Sequence, residues 1–137
     1  MAAAAAITRN LQSLEGIQMI GYCGLMLPVC EDRRLAELAS SSSAEYPALN
    51  IVHLLNISSV CGVGVDTVPI PGHTIDNHAA ALSSLQSLLL DVVGLAERWS
   101  KPLTCRVFPV PGKKKGELAD FRESPHMVNS NIFSLQY

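Results

Sequence analysis

Apolar residues recur at helical spacing through Ile75, Leu82, Leu85, Leu89, Val92, Ala96 and Trp99, which predicts a long helix capped by Thr74, with Asp76 in its first turn. Leu88, Leu90, Val93 and Leu95 widen the apolar face, so this helix is expected to pack on more than one side. Ser100-Lys101-Pro102 ends it, and Leu103 to Val110 follows with only Thr104 and Arg106 polar, the pattern of a strand covered on both faces. A helix leading into a buried strand is one α/β unit. Before it, Cys61 to Gly72 holds β-branched residues between glycines and prolines, which predicts a short strand over 65–68 entered through a glycine loop.

Three further helices are expected upstream. Leu11, Leu14 and Ile17 mark a short one over 8–19, weakened by Gly16 and Gly21. Pro28 fits the first turn of a second over 29–39, closed by the serine run 40–43, which reads as a surface loop. Pro47 fits the start of a third, buried helix over 47–59, with a near-continuous apolar run from Leu49 to Ile57. Beyond Val110, a basic loop at Lys113-Lys114-Lys115 leads into a tail without clear period, with a short element expected near 131–135.

Composition adds one constraint. Hydrophobic residues are 48% of the 137, but charged residues are only 16%, below the roughly 25% of ordinary soluble domains. A domain this small then exposes apolar area unless another subunit or further segments of fold cover it. The formal charge of −2 offers no attraction for nucleic acid. No stretch has the length and purity of a membrane span. The cysteines at 23, 30, 61 and 105 form no CxxC pair, which fits reduced thiols and a cytoplasmic setting better than a disulfide scaffold or a zinc ribbon.

Candidate chemistry gathers in two loops. Gly62 and Gly64 can let the backbone approach a ligand, but Thr67 stands where a dinucleotide fingerprint needs its third glycine. The lysine loop lacks P-loop spacing; with Arg106, Lys113 and Lys114 can hold a carboxylate or phosphate, or simply be solvated. Asp66 and Thr67 can orient a substrate or satisfy turn amides. Cys61 falls at a helix C-terminal end, where the dipole disfavours a thiolate, and is expected to be buried and inert. His73 and His78 are off the four-residue spacing of a helical metal pair, His53 reads as a core histidine, His126 is isolated, and no metal set is expected.

Taken together, the blocks Gly24 to Val29 with Glu31-Asp32, Val60 to Gly72, Lys101 to Thr104 and Arg106 to Lys114 resemble the C-terminal part of uncharacterised protein family 0210, also called domain of unknown function 711. The resemblance runs from about Ile17 to Phe133, with 1–16 as an N-terminal extension. Full-length members are several times longer. It implies an α/β fold, here several helices with two or three buried strands from a barrel like that of pyruvate formate-lyase and ribonucleotide reductase, built as a homodimer without established activity. Cys61 is the tempting counterpart of those enzymes' catalytic cysteine, but no glycyl-radical segment accompanies it.

No reaction or cofactor follows from these residues. Two functions are open. In one, Cys61, Gly62, Gly64, Asp66, Thr67, Arg106, Lys113 and Lys114 line a pocket for a small anionic metabolite, because both loops follow strands. In the other, the chain is a structural or assembly piece, docking through helix 75–99 on another copy or on further barrel segments.

Overall fold

The computed structural model describes residues 1–21, 23–41, 48–72 and 79–136, with the backbone alone for 79–81. The expected roles of Pro47, Thr74, Ile75 and Asp76, the loop residues Ser42 and Ser43, and His73 and His78 lie outside the described residues. Four helices and four strands follow in the order α1 (Ala2–Gln12), α2 (Arg33–Ser40), α3 (Ile51–Cys61), β1 (Gly64–Pro71), α4 (Ala79–Trp99), β2 (Thr104–Val110), β3 (Leu118–Ala119) and β4 (Ser130–Asn131). The fold is mixed α/β. Strands β1 and β2 run parallel, joined through α4, while β3 and β4 form a separate antiparallel pair; no barrel is closed.

Strand β1 is the centre of the core. Val65, Val68 and Ile70 are fully buried against Val29, Ile51, Leu54, Leu88, Val92 and Phe133. Each such side chain contributes about 1.5–3 kcal/mol of transfer free energy. The strand is longer than its expected span because Pro69 and Pro71 lose a donor but keep an acceptor: the Phe133 N–H donates to the Pro69 carbonyl at 2.9 Å. On the same outer edge, Val29 N–H donates to the Asp66 carbonyl at 3.1 Å and Cys30 N–H to the Thr67 carbonyl at 3.3 Å. Among the described residues no strand pairs with the far side of β2.

The helices differ from expectation where capping and glycine geometry intervene. Helix α1 starts at Ala2 and stops at Gln12, because alanine is the strongest helix former and the chain soon turns through a left-handed Gly16. Its Ala4 and Thr8 are buried, whereas Leu14 and Ile17 lie beyond it and are exposed. Helix α2 begins at Arg33 rather than 29, because the Asp32 carboxylate accepts from Leu35 N–H at 2.8 Å and caps it. Pro28 instead bridges in parallel to Asp66. Helix α3 is capped by Asn50, whose Oδ1 accepts from His53 N–H at 3.0 Å, and turns Ile51, Leu54, Ser58 and Cys61 inward. That phase places His53 on the exposed face, not in the core.

Two further expectations are corrected. Strand β2 is not covered on both faces: Thr104 is buried, Arg106 is exposed and the rest is half-buried, as suits the rim of a two-stranded sheet. Helix α4 packs on one side only. Leu88 and Val92 are buried, while Leu82, Leu89, Leu90 and Val93 are 49%, 45%, 62% and 52% exposed. In the tail, β4 supplies the expected short element one residue early and pairs with Leu118–Ala119.

Candidate functional site

The two expected loops contribute unequally to one polar cluster. Val65 pairs with Cys105 and Val68 with Val107, so Asp66 and Thr67 together oppose Arg106. Two residues against one is a β-bulge, which re-aims side chains. Thr67 takes φ 45°, a left-handed conformation that costs a β-branched residue of order 1–3 kcal/mol. The surroundings hold it there: Cys30 N–H donates to both the Thr67 carbonyl and Oγ1 at 3.3 Å.

The bulge turns the Asp66 carboxylate inward, where it is 1% exposed and meets Arg106 in a fork. Arg106 Nε donates to Oδ1, and Nη2 donates to Oδ2 at 2.9 Å and to Glu31 Oε1 at 3.2 Å. Planar guanidinium and carboxylate match in this bidentate form. The Asp66 hydrogen bond is the main reason the Arg106 pKa is raised further. The cluster ties β1, β2 and the segment before α2 together. Among the described residues the cluster sets one cation against two carboxylates, an excess of negative groups.

The glycines and the cysteine of the first loop have structural partners. Gly62 ends α3 in the left-handed conformation, its N–H donating to Ser58 carbonyl at 2.8 Å, and an added Cβ would lie 3.0 Å from the Trp99 ring. Gly64 takes φ 108°, and a Cβ there would lie 2.1 Å from the Thr104 carbonyl oxygen. Ser58 Oγ bonds the Gly64 carbonyl at 2.7 Å. Cys61 is buried, and that burial pushes its thiol pKa up, as expected of an inert cysteine. The Cys30 thiol is pushed up to about 12, first by burial and then by the charge of Glu31.

Lys113 and Lys114 stand apart from this cluster. The last register pair is Pro71 with Val110, and Lys113 N–H closes a turn onto the Val110 carbonyl at 3.2 Å. At about 3.3 Å per residue, the lysine loop starts roughly 13–16 Å along the sheet from Asp66. The structure therefore brings Asp66, Thr67 and Arg106 together and leaves the lysines at the carboxyl ends of the strands. Glu31 is the member that sequence reasoning missed. It stands in the quoted Glu31-Asp32 block, but nothing local shows that it meets a residue 75 positions away.

Among the described residues, three cavities lie apart from this cluster. Two, of about 620 and 450 Å³, share Phe121, Arg122 and Ser124, and a third of about 350 Å³ adjoins Met19, Cys23 and Lys101. Their linings include none of the eight expected site residues. Among the described residues no three His, Cys, Asp or Glu side chains form a metal cluster, and no helix is long and apolar enough to cross a membrane.

Comparison with known proteins places this chain in a family. The UPF0210 proteins of Carboxydothermus hydrogenoformans and Methanocaldococcus jannaschii are each 34% identical over 101 residues, 74% of this chain and 20% of theirs. That of Methanosarcina barkeri is 32% identical over 118 residues, 83% of this chain and 24% of its own. The chain thus spans about a fifth of the length of the curated relatives it matches. No solved structure matches. The family model described as Uncharacterised ACR (DUF711) matches residues 1–126, so the chain belongs to that family.

Proposed function

We propose that the chain is an assembly element, an α/β unit whose α4 face and open β2 edge dock on further α/β segments of the kind that make up the rest of its relatives. The carrying observation is the exposure of Leu82, Leu89, Leu90 and Val93 on α4. At 100° per residue, Leu82, Leu89 and Val93 fall within about 40° of one another, and Leu90 extends the stripe. Covering these half-exposed side chains is worth about 3–6 kcal/mol. A helix in a layered α/β fold meets its sheet on one side and its neighbours on others, and the low charge content supports the same reading. Within the barrel that the family resemblance implies, the next unit adds beside β2.

The test is co-expression with the Carboxydothermus hydrogenoformans relative from which the matching segment has been deleted. Co-purification and co-sedimentation of the two polypeptides are expected, and Leu90→Glu with Val93→Glu abolishes both while leaving the circular dichroism spectrum unchanged. A chain that stays a folded monomer beside its partner overturns the proposal; a self-contained homodimer assigns the stripe to a second copy instead.

A second reading keeps the small anionic metabolite but moves it. The parallel strands end in register, so Gly72, Lys113 and Lys114 stand at the carboxyl edge where open α/β sheets hold ligands. Binding there would raise the melting temperature in inorganic phosphate or a dicarboxylate. Replacing both lysines by alanine should remove that rise, and Arg106→Met should not.

A further inference from the structure

The geometry points to a two-sulfur site for a soft monovalent metal ion, of the Cu(I) class, formed by Met19 and Cys23. The Cys23 thiol donates to the Met19 thioether at 3.1 Å, and both side chains belong to half-buried residues. Both residues line the cavity of about 350 Å³ between that loop and the turn joining α4 to β2. The loop is anchored from two sides: the Cys23 carbonyl accepts from Gln12 Nε2 at 3.1 Å and from Lys101 Nζ at 3.4 Å. Two residues on, Leu25 N–H donates to Thr8 Oγ1 at 3.1 Å. The Cys23 side of the pair is therefore held in place by contacts other than its own weak S–H bond.

The donor set selects the ion. Thiolate and thioether are soft ligands that favour Cu(I) over harder cations. Among the described residues the cavity lining holds no carboxylate or imidazole, so they supply neither the four ligands of a structural zinc nor the oxygen cage of calcium. Charge agrees: one thiolate neutralises one monovalent ion, whereas a divalent ion leaves uncompensated positive charge beside the Lys101 ammonium. On binding, the Cys23 S–H bond breaks and its proton passes to solvent. The thiolate and a thioether lone pair then bond the metal, and no electron is transferred.

Of the other thiols, Cys30 and Cys61 are buried, and Cys105 is the half-buried competitor. Anaerobic titration of the purified chain with Cu(I) against bicinchoninate is expected to show a single equivalent bound, with two sulfur scatterers by X-ray absorption. Losing a direct ligand should exceed the roughly 10–100-fold cost typical of an outer-sphere partner, so Cys23→Ser should lose binding by at least about 100-fold. Met19→Leu should weaken it at least about 10-fold and remove one scatterer, while Cys105→Ser leaves both readouts unchanged. Should Cys23→Ser fail to fold, Met19→Leu decides. Wild-type affinity in either variant, loss confined to Cys105→Ser, or equal affinity for Zn(II) overturns the assignment.

Discussion

Replacing Gly64 by alanine tests the geometry on which the β1–β2 pair rests. The new Cβ would lie 2.1 Å from the Thr104 carbonyl oxygen and 2.9 Å from its nitrogen, so the strands must part by at least about 1.3 Å to reach ordinary contact. Thr104 N–H donates to the Val63 carbonyl at 2.8 Å, and parting the strands breaks that bond. Leaving buried backbone groups unpaired costs about 1–3 kcal/mol, and holding alanine at φ 108° adds about 1–3 kcal/mol. The expected loss of about 2–6 kcal/mol is a large part of a domain's usual 5–15 kcal/mol. Urea denaturation followed by Trp99 fluorescence measures it, because the indole packs at Gly62 and donates to the Ser58 carbonyl at 3.2 Å. Gly94 is the control: it lies in α4 with nothing within 4 Å of its added Cβ, so alanine there should stabilise by about 0.5–1 kcal/mol. A Gly64→Ala variant within about 1 kcal/mol of wild type would refute the packing argument.

Two other perturbations probe the cluster beside that pair. Arg106→Met removes both hydrogen bonds that the guanidinium gives the buried Asp66 carboxylate; water reaching the half-exposed Arg106 site moderates the loss to about 2–3 kcal/mol. In a double-mutant cycle by denaturant titration, Asp66→Leu should then cost less in the Arg106→Met background than alone, and strict additivity would contradict the pairing. Cys30 sets an alkaline limit. Its folded pKa, about 12, lies above the ordinary value of 9.0, so its contribution is full below about pH 9 and lost as pH rises toward 12. The stability gap between wild type and Cys30→Ala should narrow above pH 9 by up to about 1.4 kcal/mol per pH unit, and a constant gap would contradict the shift.

Periodicity was sufficient for the body of α4, and β-branched runs between glycines and prolines for β1 and β2, because these signals are local. The family blocks were legible for the same reason. Helix starts were less so: Pro28 and Asp32 are both acceptable near an N-terminus, and pairing of Pro28 with Asp66 decides for Asp32. The Asp66–Arg106 fork depends on a bulge and a register across 40 positions, which composition does not encode. The same register sets Asp66 and the lysine loop several residues apart along the strands while pairing Pro71 with Val110, a spacing that loop order alone does not show. The Met19–Cys23 contact has no local signature, because a Met and a Cys four residues apart match no histidine or carboxylate metal spacing.

The hydrogen bonds that Val29, Cys30 and Phe133 make to β1 give the sheet a polarity of growth. One margin is occupied by the protein's own backbone, so an intruding strand finds the carbonyls of Asp66, Thr67 and Pro69 already taken. Addition of any further strand is thereby vectorial, proceeding outward from β2, and the exposed Arg106 that sits there becomes the first side chain a newcomer must accommodate.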